Sequence, residues 1–184
     1  VTPEIARQMK NTGIQRVSIS IDGAAAASHD RFRRQPGAFN ASMDGIENIK
    51  AAGIPFQVNV SVTRQNLAEI PQIVDMAVGI GAAAVHIFML VPTGCGKEIA
   101  EDEMITPQQY EEMLNWFHDK SREVSINLKA TCAPHYFRIM RQRAALEGIK
   151  ITPETHGYEA MTKGCLAGTG VCFVSQKGEV YPCG

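Results

Sequence analysis

The stretch RVSISID, residues 16–22, alternates strictly between apolar and polar side chains, and QVNVSVT, residues 57–63, repeats the pattern. In the first, Val17, Ile19 and Ile21 share one face and Ser18, Ser20 and Asp22 the other. In the second, Val58, Val60 and Val62 oppose Gln57, Asn59, Ser61 and Thr63. A period of two belongs to a β-strand with one apolar and one polar face, so strands are predicted over Arg16–Asp22 and Phe56–Thr63. Between them Phe39, Met43, Ile46 and Ile49 recur at helical spacing up to Gly53, which predicts a helix over about Phe39–Ala52. A strand, a helix and a strand of these lengths make a crossover unit, the building block of a parallel sheet.

The pattern continues along the chain. Asn66 and Glu69 form a capping-box-like start for a helix carrying Ile70, Ile73, Val74, Ala77 and Val78, closed by Gly79 and Gly81. A third strand follows over about Ala84–Leu90, then a turn over Pro92–Gly96. Thr106-Pro107 with Gln109 opens a helix holding Tyr110, Met113, Leu114 and Phe117, and Ser125–Ala130 is a further strand. A helix of Thr2–Met9, with Pro3 in its first turn, precedes the first strand. A basic helix over about Pro134–Leu146 leads into a loop-like stretch with Pro153, Gly157 and Gly164, so a domain boundary is placed near residue 150.

Strands buried on both faces of a parallel sheet are nearly continuous apolar runs, and these two are not. If the valines and isoleucines lie under the crossover helices, rows of hydroxyl, amide and carboxylate groups turn to the other side. Burying them unpaired costs about 1–3 kcal/mol each, so a polar ligand or a wet lumen is expected there. A sandwich with one solvated face is the alternative. The crossovers favour barrels and doubly wound folds, whose ligands sit at the carboxyl ends of strands. Asp22-Gly23, Thr63-Arg64 and Pro92-Thr93-Gly94 lie at those ends.

With 184 residues, 45% apolar side chains and a net charge of −1, the chain has room for one domain and the start of another. Its charge argues against nucleic acid as a partner. No apolar run reaches the roughly 20 residues of a membrane span. Five cysteines, at 95, 132, 165, 172 and 183, are an odd set without a secretory leader, which favours thiolates and metal over structural disulfides. GCLAGTGVCFVSQKGEVYPCG, residues 164–184, has a strand-turn-strand signal in which Lys177-Gly178 makes the turn and the outer cysteines are brought together. Cys165 and Cys183 are the leading metal ligands; Cys172, inside a strand, is either a third ligand or a small core residue. A four-coordinate zinc or iron–sulfur site needs further ligands from elsewhere.

SISIDG (18–23), HDRFR (29–33), PGAF (36–39), VNVSVTRQN (58–66), FMLVPTG (88–94) and the terminal C-x-x-G…G-x-x-x-x-C hairpin, in this order, resemble radical S-adenosylmethionine enzymes with a twitch or SPASM-type extension. The resemblance covers nearly the whole chain. It implies an α/β fold: the C-terminal half of a partial (β/α)6 radical-SAM barrel, with roughly barrel strands four to six in residues 1–150 and the start of an iron–sulfur extension in residues 151–184. The defining C-x-x-x-C-x-x-C loop and the glycine-rich motif of the second barrel strand are not in this sequence. The expectation is that Val1 lies just before the fourth barrel strand and that both ends are cut, so that radical chemistry belongs to a longer parent. Implied cofactors are S-adenosyl-L-methionine and 4Fe–4S clusters; implied partners are a tetrapyrrole and an electron-donor protein, in the cytoplasm.

Within that family TCAPHYFRIMRQRA (131–144) and the cysteine hairpin are most similar to the branch that makes haem by the siroheme-dependent route. That likeness implies oxidative decarboxylation of two propionates of iron-coproporphyrin III to vinyls. A peptide-modifying maturase or a siroheme-derivative deacetylase is the alternative in the same superfamily, and a non-catalytic metal- or tetrapyrrole-binding module is the alternative outside it. Ser18, Ser20 and Asp22 are the cofactor candidates, with Asp22 otherwise tying down the Gly23 turn; Arg33 is a candidate for the cofactor carboxylate, and Asn59 and Ser61 are further contacts. His86, His135 and Arg138 are substrate candidates, the last with Arg141 on one helical face. Against each stands an ordinary core or surface role. Cys132 and Cys95 are read as structural thiols.

Overall fold

The two alternating segments form adjacent parallel strands, β1 (Val17–Ser20) and β2 (Phe56–Val62), with Ser18 beside Gln57 and Ser20 beside Asn59. In this computed structural model, which describes residues 1–156 and 165–183, they begin a four-stranded parallel sheet in the order β1, β2, β3 (Ala84–Met89), β4 (Asn127–Thr131). All three junctions are parallel. The fourth strand is the segment expected at Ser125–Ala130. Gly157 and Gly164, expected in the loop before the hairpin, lie outside the described residues.

The helices are α1 (Pro3–Asn11), α2 (Ala26–Arg33), α3 (Ala38–Ala51), α4 (Ile70–Gly79), α5 (Gly96–Glu103), α6 (Pro107–Glu123), α7 (Tyr136–Leu146) and the single turn α8 (Pro153–His156). Their apolar stripes cover one side of the sheet. Val58, Val60, Val62, Val85, Ile87 and Met89 are buried there with Ile46 and Ile49 of α3, Ile73 and Val74 of α4, Leu114 and Phe117 of α6 and Ile139 of α7. Each such side chain removed from water contributes about 1.5–3 kcal/mol, and the shared apolar layer fixes strand register, since a slip of one residue would turn every valine of β2 outward.

The local signals explain where elements start and stop. Thr106 caps α6, accepting the Gln109 N–H at 3.2 Å, while the Gln109 side chain accepts the Thr106 N–H at 2.9 Å. The expected capping box at Asn66 and Glu69 is not made. A 3-10 turn occupies Leu67–Glu69, α4 begins at Ile70, and both side chains reach across the fold instead. Three helical elements lacked a sequence expectation: α2, α5 and the single turn α8, which falls in the stretch expected to be loop-like. The start of α3 is held by Asp30, whose carboxylate accepts the N–H groups of Gly37 (2.6 Å) and Phe39 (2.8 Å); these bonds pull its pKa down. The cysteine segment forms its own two-stranded antiparallel sheet, β5 (Phe173–Val174) and β6 (Val180–Tyr181), turned by Gly178 at φ +80°.

Candidate functional site

The carboxyl ends of β1 and β2 are joined by a buried polar network centred on Asp22. Asp22 is 1% exposed. Its Oδ1 accepts the backbone N–H of Ser61 at 2.8 Å, its own N–H donates to His29 Nδ1 at 3.0 Å, and its Oδ2 lies 2.5 Å from the Arg33 guanidinium. That last approach is an ion pair without hydrogen-bond geometry, so Oδ2 is buried and accepts no hydrogen bond. Because His29 accepts at Nδ1, the ring is the neutral tautomer with its proton on Nε2. Burial lowers the His29 pKa, opposed by the charge of Asp22.

Asn66, 2% exposed, completes the junction. Its amide donates to the carbonyls of Asp22 (3.0 Å) and Ser61 (2.8 Å), and its oxygen accepts the Thr63 N–H at 2.9 Å. Glu69 accepts from the Ala24 N–H at 2.7 Å and the Ser28 hydroxyl at 2.6 Å, pinning the loop that follows β1. Gly23 is required in that loop, because a Cβ there would stand 2.3 Å from the His29 backbone nitrogen. Three contributors to this junction, His29, Asn66 and Glu69, were not site candidates from the sequence. Asn66 and Glu69 reach partners more than forty positions away, Asp22, Ala24 and Ser28, while His29 meets Asp22 seven residues before it; the local hint is a polar pair, Thr63 and Asn66, at a strand end.

The structure thus brings Asp22, Arg33 and Ser61 together, with Ser18 and Ser20 exposed on the same face of β1. Asn59, half-buried, accepts from Gln57 Nε2 at 3.0 Å, and the same Gln57 nitrogen donates to His86 Nδ1 at 3.1 Å. His86 therefore shares the polar face. His135 stands at the start of α7, with its ring edge-on to Tyr110 at 5.4 Å. Arg138 is paired with Glu111 and also donates to Gln142 at 2.8 Å, so its charge is already neutralised on the helical surface.

A second constellation is sulfur-rich. Cys165 and Cys183 from the hairpin segment and Cys132 at the end of β4 line one largely apolar cavity of about 360 Å³, with Phe137, Leu166 and Pro182. Cys132 sits at φ +56°, an unusual backbone for a residue with a Cβ. Burial pushes its thiol pKa up, and the nearby Cys183 and Cys165 push it further. The Cys165 sulfur accepts the Ala167 N–H at 3.4 Å, and the Gly168 N–H donates to Pro182 O at 3.2 Å, tying the two ends of the hairpin. Cys172 does not line this cavity. Among the described residues no three His, Cys, Asp or Glu side chains stand close enough to hold a metal ion by themselves.

Both implied groups find suitable chemistry here. The buried, hydrogen-bond-free Asp22 Oδ2 and the exposed Ser18 and Ser20 suit a ligand rich in hydroxyl and amine groups, and the thiols of Cys165 and Cys183 suit the soft metal of an iron–sulfur cluster. No protein-family model matches the chain. Two curated relatives, both named AdoMet-dependent heme synthase, are similar along all of it. That of Methanosarcina barkeri is 55% identical over 184 residues, which is 100% of this chain and 52% of the relative, and that of Nitratidesulfovibrio vulgaris is 56% identical over 100% of this chain and 50% of the relative. The chain therefore spans about half the length of the curated relatives it matches. In fold it is similar to Streptococcus suis SuiB, crystallised with the precursor peptide SuiA, with a TM-score of 0.63 at 16% identity over 91% of this chain and 36% of SuiB. The helix-covered parallel sheet is the α/β partial barrel expected from the sequence. Over its whole length the chain is similar to one half of the AdoMet-dependent haem synthases, and the resemblance to radical S-adenosylmethionine enzymes is borne out by these relatives.

Proposed function

We propose that this chain is the cofactor- and substrate-facing half of a radical S-adenosylmethionine enzyme of tetrapyrrole synthesis, one that oxidatively decarboxylates propionates of iron-coproporphyrin III to vinyls. The observation that carries the reading is 55% identity to the Methanosarcina barkeri AdoMet-dependent heme synthase along every residue of the chain. S-adenosylmethionine, when bound, would supply the 5′-deoxyadenosyl radical that takes a hydrogen atom from the propionate carbon β to the carboxylate, after which loss of carbon dioxide and of one electron, accepted by an auxiliary cluster, would give the vinyl. The chain's own part is to hold and orient. Asp22, fixed from four sides, presents a dry acceptor at the strand ends, and Ser18 and Ser20 extend that polar strip down the face of β1. Arg33 offsets the carboxylate charge and is the candidate to meet an anionic end of the cofactor. Cys165 and Cys183 supply two thiolates toward an auxiliary cluster in the extension that begins after residue 150, and an electron-donor protein is the expected redox partner.

The test is anaerobic turnover of the protein at the full length of its relatives, with reconstituted clusters, S-adenosylmethionine, a reductant and iron-coproporphyrin III. Haem b by mass spectrometry together with 5′-deoxyadenosine is the expected result. Deoxyadenosine without a vinyl product would refute this substrate and direct the search to peptides or modified sirohemes. The absence of deoxyadenosine would refute the radical reading itself.

A further inference from the structure

Two thiolates from the hairpin leave a cluster of roughly four thiolate ligands incomplete. The cavity lined by Cys165 and Cys183 holds a third thiol, contributed by the sheet rather than the hairpin: Cys132, which directly follows β4. All three cysteines are free and exposed, whereas Cys95 and Cys172 line no part of this cavity. Among the described residues no histidine, aspartate or glutamate lines it, so sulfur is the metal donor it offers. Ala130, Phe137, Leu166, Val171 and Pro182 make the rest of the wall largely apolar, as suits a cluster shielded from water. The three thiols do not stand close enough to share one metal ion, and a cluster does not require it, because its thiolates bind different irons and stand apart.

The backbone at Cys132 is an independent observation. Among the described residues two that are not glycine have positive φ, Arg34 at +53° and Cys132 at +56°. Arg34 closes α2 as its C-cap, where a left-handed residue is common, but Cys132 caps no helix; the N-cap of α7 is His135. Glycine would take this φ without steric cost, so a side chain retained there points to a use for the thiol. The conformation is held from α6, where the Tyr110 hydroxyl donates to the Cys132 carbonyl at 3.4 Å. On the hairpin side, the Ala167 N–H bonded to the Cys165 sulfur is the kind of contact that stabilises a thiolate bound to iron.

We propose that Cys132 is a third thiolate ligand of the auxiliary iron–sulfur cluster, so that the cluster is held between the sheet and the hairpin. This rests on the function proposed above and gives a role to a cysteine expected from the sequence to be a structural thiol. Each thiol gives up its proton on binding iron. Lys129, which lines the same cavity, brings a positive charge toward the resulting anionic group. Thr131, the residue before Cys132, stands beside Phe88 in the register, so ligation at Cys132 ties the cluster to the end of a strand of the main sheet.

The experiment is anaerobic reconstitution of the full-length protein, unsubstituted and as Cys132→Ser, Cys132→Gly, Cys165→Ser and Cys95→Ser. Iron and sulfide content and the electron paramagnetic resonance spectrum of the reduced protein are the readouts. Both Cys132 variants should lose about one cluster's iron and sulfide, as Cys165→Ser does, or keep it only with an altered spectrum, as an oxygen or an added thiol takes the vacated place. Glycine adopts the left-handed backbone at this position without strain, so a far-ultraviolet circular dichroism spectrum of Cys132→Gly that matches the unsubstituted protein separates ligand loss from unfolding. Cys95→Ser keeps its full iron. Full iron with an unaltered spectrum in both Cys132 variants, or equal iron loss in Cys95→Ser, would overturn the assignment. Deoxyadenosine release and haem formation by the unsubstituted protein judge the catalytic reading separately: haem formation with iron content and spectrum indifferent to Cys132 sinks only this ligand, and a Cys132-dependent cluster without haem sinks only the reaction.

Discussion

Replacing Asn66 by alanine tests whether the junction of β1 and β2 is held as the structure indicates. The side chain is 2% exposed and makes three hydrogen bonds, to Asp22 O (3.0 Å), Ser61 O (2.8 Å) and Thr63 N (2.9 Å). Alanine would leave two carbonyls and one N–H without partners. Each orphaned group costs about 1–3 kcal/mol, and the loss of the amide's own burial penalty offsets part of the sum, so about 3 kcal/mol is expected. Against a typical net stability of about 5–15 kcal/mol this is a large fraction. In urea, followed by the fluorescence of the single tryptophan, Trp116, the midpoint should fall by about 1 M with unchanged slope. Asn66→Asp keeps the acceptor for Thr63 but turns a carboxylate oxygen toward two carbonyls, and should be at least as damaging. A midpoint shift below about 0.3 M for both variants, with the slope preserved, would refute the argument.

Gly23→Ala should destabilise by more than the about 1–3 kcal/mol of ordinary overpacking, because the new Cβ would meet backbone at 2.3 Å rather than a flexible side-chain tip; a thermal melt within about 2 °C of the unsubstituted protein would contradict this. His29 gives a pH dependence of defined sign: its folded pKa is depressed, so its contribution is fully present above the unfolded value of about 6.5 and is lost as pH falls below it, where the unfolded chain binds the proton first. Unfolding free energy measured from pH 8 to pH 5 should fall on the acid side, and His29→Gln should flatten that fall. In the anaerobically reconstituted full-length protein, Cys165→Ser and Cys183→Ser should each lower iron and sulfide content by about one cluster, as expected when a cluster of roughly four thiolate ligands loses one. Unaltered iron in both would remove these residues as ligands.

The parallel sheet was legible because its information is local: an alternation of valine or isoleucine with serine, asparagine and glutamine specifies which face meets the helices, and the Thr106–Gln109 box marks the start of α6 within four residues. Of the helices without an expectation, α2 and α5 carry almost no apolar signal. α2 buries His29 alone, a polar residue, and α5 buries none of its side chains. Asn66 and Glu69 show the limit most clearly, since their spacing is that of a capping box while their bonds run to Asp22, Ala24 and Ser28, more than forty positions away. Spacing alone cannot weigh a local cap against a distant orphan carbonyl; burial decides it, and burial exists only in the folded chain.

The arrangement around Asp22 also separates support from availability within one side chain. Its carbonyl goes to Asn66 and its Oδ1 to Ser61, locking β1 to the end of β2, while its backbone N–H goes to His29 of α2. Only Oδ2 accepts no hydrogen bond, and it is covered by Arg33, which is 39% exposed and comes from a helix rather than from the sheet. Oδ2 is closed off by the Arg33 guanidinium at 2.5 Å, so a ligand hydroxyl reaches it only if that half-exposed arginine shifts, which leaves the strands undisturbed. Along the same face Ser18 and Ser20 are exposed, while Thr63 and Gln57 beside them are buried and hydrogen-bonded. Exchanging the two roles, for instance by Asp22→Asn, would therefore be expected to alter ligand contact through Oδ2 while leaving the Ser61 N–H satisfied, a separation that Asp22→Ala could not achieve.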